Sequence, residues 1–209
     1  AITKAGGGTV NLEYASISRS TASPVNTFYA GAHSTNGGNN TGWFFNDVPL
    51  TVTTNAASGV TMNAAGVTGG TFNGSIVAVV GSVSITTHFE YGLTGAYGAS
   101  TANVVVTSTG DFTTAIPAAL TPGQTYHFMV VAVNDGGTYT GADQTFTFTL
   151  PTIATANATN TTMNGLHTTA TLNGTVSNMG VASSATVHFE WGYTNIYGNS
   201  TPNQTANAI

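Results

Sequence analysis

Three histidines stand where metal chemistry is conceivable. His88, His127 and His188 fall in "TTHFEYG" (86 to 92), "TYHFMVVAVN" (125 to 134) and "VHFEWG", all of which alternate like strands. If the strands of His88 and His127 pair, their imidazoles approach and offer a soft metal two ligands. The ligand count is too low for a stable site, and each histidine alternates with an aromatic core position (Phe89, Tyr126, Phe128, Phe189). Solvent or a polar edge is their expected environment. His33 and His167 have no partner in sequence and read as surface residues. Glu90 and Glu190 raise glycosidase chemistry, which uses a pair of carboxylates. They occupy equivalent places in two copies of a repeat, so each stands alone as an outward-facing strand residue. The turns "NDGGTYTG" (134 to 141) and "NGGNNTG" (36 to 42) resemble phosphate-cradling loops, but no helix follows to present its N-terminus to an anion. They read as hairpin turns in which Gly and Asn accept positive φ. Trp43 and Trp191 are candidates for stacking on sugar. Trp191 replaces Tyr91 of the repeat, which favours packing. No catalytic residue, metal site or cofactor is expected, and the chain does not read as an enzyme.

The elements that must position these residues are strands. The 209 residues contain 2 Lys and Arg, 7 Asp and Glu and no cysteine, and only 4% are charged. About a quarter of an ordinary soluble protein is charged. That scarcity excludes a basic nucleic-acid footprint, which needs clustered Lys and Arg. Disorder is also excluded, because 2 Trp, 8 Tyr and 10 Phe accompany many β-branched residues. The longest apolar runs, Ile76 to Val80 and Phe128 to Val133, are far short of the roughly 18 residues of a membrane span, so no membrane insertion is expected. Ala1 follows no leader-like segment and reads as the product of signal-peptide removal, hence a secreted, extracellular, cell-surface location. Asn39, Asn73, Asn157, Asn160, Asn173, Asn199 and Asn203 each open an N-x-S/T triplet, which makes them candidate glycosylation sites and glycans a candidate partner.

No window carries a helical stripe, whereas short alternating strands with turn signals between them indicate an antiparallel sandwich. Internal repetition organises them. Residues 71 to 101 align with 171 to 201 at an offset of 100, matching Asn73 with Asn173, His88 with His188, Phe89 with Phe189, Glu90 with Glu190, Tyr97 with Tyr197 and Gly98 with Gly198. More weakly, 23 to 47 follow 121 to 146, with Pro24 on Pro122, Thr27 on Thr125, Asn36 on Asn134 and Gly42 on Gly141.

The patterns "TLNGTV…VHFEWGYTNIYG" and "LTPGQTYHFMVVAVNDGGTYTGADQTFTF" resemble the fibronectin type III-like, immunoglobulin-like β-sandwich modules found in tandem in bacterial and archaeal extracellular surface proteins. The resemblance covers about 55 to 209 and leaves 1 to 22 outside. It implies an all-β fold of tandem sandwiches, one complete and two complementary halves: 1–54 the C-terminal half of a module, 55–151 a complete module, and 152–209 the N-terminal half of another. An isolated half exposes an apolar face and unpaired edges. The expected partner is the complementary half of a second copy, through an interface of Phe28, Ala30, Ala32, Phe44, Leu172, Val176, Val187, Phe189 and Trp191. Heterologous contacts of this kind that do not close make filaments. The expected function is therefore a structural subunit of a pilus-like extracellular fibre, a head-to-tail homopolymer built by strand complementation. The alternatives are an excerpt of a long tandem-repeat adhesin or stalk, or non-catalytic spacer modules of a secreted carbohydrate-active enzyme.

Overall fold

A computed structural model describes residues 1–31, 33–45, 50–63, 65–78, 84–134 and 136–208. Among these residues every regular element is a strand, and no helix is long and apolar enough to cross a membrane. The chain forms two compact units. One comprises Ala1–Ser58, Thr71–Ala115 and Tyr126–Thr145, the other Gly59–Gly70, Ile116–Thr125 and Phe146–Ile209.

The N-terminal residues build seven strands of two residues each: β1 (Ile2–Thr3), β2 (Val10–Asn11), β3 (Ser16–Ile17), β4 (Ala22–Ser23), β5 (Phe28–Tyr29), β6 (Thr35–Asn36) and β7 (Trp43–Phe44). All of them pair in parallel. Ile2 lies beside Ala22, Val10 beside Phe28, Ser16 beside Thr35, Thr21 beside Thr41, and Phe28 beside Trp43. The chain thus returns alongside itself as a short parallel coil, with corners at positive-φ residues such as Gly8, Arg19, Asn26 and Gly31. Ala22, Phe28 and Ala30 fill its interior. Asn40 holds a corner, accepting from the Ser20 amide at 2.9 Å and donating to the Ile17 carbonyl at 2.7 Å. This differs from the antiparallel half-sandwich expected of 1–54. Where the matched segment has Met129 in mid-strand, this one has Gly31 at φ +62°, and a Cβ there would fall on the Glu13 carboxylate. The strand therefore stops after Tyr29. His33, expected to stand alone, stacks on Tyr14 at 5.1 Å, and its Nδ1 lies 3.5 Å from Glu13 Oε2.

Longer strands follow: β8 (Thr51–Met62), β9 (Thr68–Ala78), β10 (Ile85–Gly92), β11 (Ala99–Ser100), β12 (Val104–Val106), β13 (Gly110–Ala115), β14 (Thr125–Asn134), β15 (Gly137–Thr140) and β16 (Gln144–Thr147). They make two sheets, one ordered β13-β9-β8, the other centred on β10 and β14 with β11, β12, β15 and β16 beside them. Alternation sends every second side chain between the sheets. Phe72 of β9 stacks on Phe89 at 5.4 Å and on Phe128 at 4.8 Å, and Phe112 of β13 reaches Phe89 at 5.7 Å. Phe72, Phe89 and Phe128 are fully buried, with Ile76, Ile85 and Val130 beside them. The buried Thr54 hydroxyl of β8 accepts from the Val130 amide at 3.1 Å. Gly141 lies so close to Thr54 that a Cβ would strike its backbone, a close approach that only glycine permits.

The remaining strands are β17 (Thr152–Asn164), β18 (His167–Asn178), β19 (Ser184–Val187), β20 (Glu190–Trp191), β21 (Asn199–Ser200) and β22 (Gln204–Asn207). β17 and β18 form a long antiparallel hairpin, β19 pairs with β22, and β20 with β21. A backbone seam ties the Met179–Ser183 loop to Met62 and Thr149. The Met62 amide donates to the Val181 carbonyl and the Val181 amide to the Thr149 carbonyl, each at 3.0 Å.

The unequal burial of equivalent rings predicts unequal stability effects. Phe89→Ala opens a cavity in a closed core and should cost about 3–5 kcal/mol. Phe189→Ala removes only part-buried surface and should cost about 1 kcal/mol or less. Urea titration of each full-length variant checks the difference.

Candidate functional site

The second copy of the repeat reproduces the first hydrogen bond by hydrogen bond. Phe89 and Thr101 exchange main-chain and hydroxyl bonds at 2.9 and 3.0 Å, and Phe189 and Thr201 do so at 2.9 and 2.9 Å. Asn73 Nδ2 donates to the Ala56 carbonyl at 2.7 Å and to Ser58 Oγ at 3.0 Å. Asn173 Nδ2 donates to the Asn157 carbonyl at 2.9 Å and to Thr159 Oγ1 at 3.0 Å. Both tyrosines of the Tyr-Gly turn take a left-handed backbone, at φ 57° for Tyr97 and 51° for Tyr197. The ladders agree too: Ile85 pairs with Val106 and Ala185 with Ala206, Glu90 with Ser100 and Glu190 with Ser200. Strands β17 to β22 are therefore a second β8 to β12.

What the second copy lacks, among the described residues, is anything equivalent to β13–β16, the strands that bring Phe112, Phe128 and Val130 over the first copy. Its inward face is correspondingly open. Leu172, Val176, Val187 and Phe189 are only part-buried and Trp191 is exposed, whereas Phe72, Ile76 and Phe89 are fully buried. A cleft of about 140 Å³ runs along this face, lined by Ile153, Val176, Val187, Phe189, Thr201 and Gln204. Of the other expected interface residues, Phe28 and Ala30 are buried inside the parallel coil, Phe44 is exposed, and Ala32 lies outside the described residues.

The polar candidates separate. Register places His127 beside Gly92 and His88 beside Val131, so the two imidazoles do not meet as a ligand pair. His88 Nε2 lies 3.9 Å from Glu90 Oε1 and His188 Nε2 3.7 Å from Glu190 Oε1, the same loose contact in both copies. Among the described residues no three His, Asp or Glu side chains gather as a metal would require.

A clasp that the sequence did not reveal joins Tyr97, Asp143 and His127. Asp143 accepts from His127 Nδ1 at 2.8 Å and from the Tyr97 hydroxyl at 2.9 Å, tying the Tyr-Gly turn to β14 and to the residue before β16. The His127 hydrogen bond holds the Asp143 carboxyl below the usual carboxylate range. Partial burial, then the hydrogen bond to Asp143, push the Tyr97 phenol up to about 12. The signal that could have flagged this corner was the exact recurrence of Tyr97 and Gly98 one repeat later.

No protein-family model matches this chain. No curated protein matches it either. Among solved structures it is similar to the sensor domain of the anti-sigma factor RsgI4 in Pseudobacteroides cellulosolvens. The short form is 20% identical with a TM-score of 0.38, covering 49% of this chain and 98% of that one. The solution structure is 16% identical at 0.37, covering 48% and 76%. The long form is 20% identical at 0.36, covering 52% and 99%.

Two expected outcomes follow from the polar groups. A folded carboxyl held low contributes stability above its unfolded pKa and loses it as pH falls through the folded value. A phenol held high contributes below its unfolded value near 10 and loses it as pH rises through about 12. Asp143→Asn should therefore lower stability at pH 7 by roughly 1 kcal/mol, a small figure because the pair is solvent-screened. It should also weaken the acid and alkaline limbs of the stability profile, as measured by urea unfolding across pH. For the sequons, an N-glycan must bond to Nδ2, and at Asn73 and Asn173 that atom already donates to main-chain and hydroxyl oxygens within a sheet. If the protein is glycosylated, peptide mass spectrometry should find sugar at exposed Asn39, Asn157 or Asn203 and not at Asn73 or Asn173.

Proposed function

We propose that this protein is a structural subunit of an extracellular filament, in which the open half module of one copy is completed by a neighbouring copy. The supporting observation is the contrast between Phe89, closed over by β13 and β14, and Phe189, which sits in the same local hydrogen bonds with no such cover among the described residues. An apolar sheet face left in water invites association, and a contact between unlike ends of identical subunits propagates when it does not close. The two sheets of β8–β16, three strands facing a larger antiparallel sheet, are compatible with the fibronectin type III-like module that the sequence resembles. On this reading 55–151 is the complete module and 152–209 the half awaiting its partner. The role is non-catalytic, on the cell surface, with the chain itself as principal partner.

A second reading, a segment of a longer tandem-repeat adhesin or stalk, draws support from one observation. The N-terminal residues already pair among themselves in parallel, with Phe28 and Ala30 buried, and a donor segment would have to give up those pairs.

Electron microscopy of the purified chain separates the two. The filament reading expects fibres from this chain alone, and loss of fibres with the central module still cooperatively folded when residues 1–50 are removed. Undiminished fibres from the deletion, or a strictly monomeric full chain, would overturn it.

A further inference from the structure

The chain contains Asn-Gly pairs at Asn36–Gly37, Asn73–Gly74, Asn164–Gly165 and Asn173–Gly174. Such a pair can react with itself, because attack of the glycine nitrogen on the asparagine side-chain carbonyl closes a five-membered ring and glycine has no Cβ to obstruct it. The reaction needs a side chain free to rotate, a glycine N–H not committed to another acceptor, and a main chain able to leave its present geometry.

The fold denies these conditions to three of the pairs. Asn73 Nδ2 donates to the Ala56 carbonyl and Ser58 Oγ, and Asn173 Nδ2 to the Asn157 carbonyl and Thr159 Oγ1, so both side chains are held. Their glycines lie inside antiparallel ladders, Gly74 opposite Phe112 and Gly174 opposite Thr155, where turning the main chain would break sheet bonds. At Asn36 the side-chain oxygen accepts from the Gly38 amide at 3.0 Å and from Asn40 Nδ2 at 2.9 Å. The Gly37 N–H donates to the Ile17 carbonyl at 2.8 Å.

The remaining pair is bare. The triplet Thr-Met-Asn recurs at the tips of the two long hairpins, as Thr61-Met62-Asn63 and as Thr162-Met163-Asn164. At the first tip Met62 is buried, alanine follows the asparagine, and Asn63 Oδ1 accepts from the Ala65 and Val67 amides at 3.0 and 2.9 Å. At the second tip Met163 is 79% exposed, Leu166 is wholly exposed, and Asn164 and Gly165 face water. Asn164 pairs with His167 as the last rung of β17 and β18, and Gly165 turns the corner at φ +65° with nothing within 4 Å of where a Cβ would stand. Among the described residues, neither the Asn164 side chain nor the Gly165 N–H forms a hydrogen bond.

We propose that Asn164 is a site of spontaneous self-modification, converting to aspartate and isoaspartate faster than the other Asn-Gly pairs of the folded chain. The Gly165 nitrogen bonds to Asn164 Cγ, the Cγ–Nδ2 bond breaks, and Nδ2 leaves as ammonia with the proton of the Gly165 amide. Water then opens the cyclic imide. Addition at Cγ gives aspartate on the original main chain, and addition at the main-chain carbonyl gives isoaspartate, whose main chain runs through Cβ and Cγ. Nothing is oxidised or reduced. Either product places a carboxylate on the rung shared with His167, and isoaspartate also lengthens the main chain at the turn. The reaction needs no second copy, so it stands or falls apart from the filament reading.

The test holds the full chain at physiological temperature and neutral pH, then follows peptic peptides by mass spectrometry over weeks. The peptide containing Asn164 should gain the mass difference between amide and acid and split into two products of equal mass on chromatography. Peptides containing Asn36, Asn73 and Asn173 should convert about tenfold more slowly or less, because their surroundings must first open. In concentrated urea the four rates should converge. Gly165→Ala should slow conversion at Asn164 by about tenfold, since a Cβ obstructs the ring closure. Conversion at Asn164 no faster than at the other three in the folded chain would overturn the proposal. Rates that stay as unequal in urea would also overturn it, because local sequence and not the fold would then be choosing the site.

Discussion

Covering an aromatic sheet face is the constraint from which the rest of this molecule follows. With so few charges available, stability has to come from apolar burial, backbone ladders and the amides and hydroxyls that join them. Phe72, Phe89 and Phe128 satisfy the constraint by stacking between two sheets. The N-terminal residues satisfy it differently, winding a parallel coil around Phe28 and Ala30. The second copy of the repeat leaves it unsatisfied, and the functional reading grows from that difference.

The repeat explains how the second copy can hold its shape with no equivalent of β13–β16 among the described residues. Antiparallel pairs such as β17 with β18 and β19 with β22 close their own hydrogen bonds without help from further strands. The Asn173 and Thr201 side chains then fix the strands to one another through main-chain atoms, as Asn73 and Thr101 do in the complete module. Local polar bonds set the shape of the sheet and apolar cover sets its stability, so the first survives where the second is absent.

Much of this was legible in the residues. The all-β class follows from alternation and turn residues, and the 100-residue offset anticipated which side chains recur in equivalent bonds. Two features were not legible. Strand direction in the first 45 residues was one, because side-chain types matched to 121–146 carry no information about parallel or antiparallel pairing. The clasp of Tyr97 with Asp143 joins residues 46 positions apart across two loops, and no local pattern announces such a meeting. The expected interface was split by the same limit. Phe189 and Trp191 lie on the open face, while Phe28 and Ala30 are committed to the coil interior.

The seam at Met62, Thr149 and Val181 is made of main-chain amides and carbonyls alone. Such bonds have no proton to gain or lose in ordinary conditions and no net charge for salt to screen. A joint of this kind is therefore less sensitive to pH and salt than an ion pair would be.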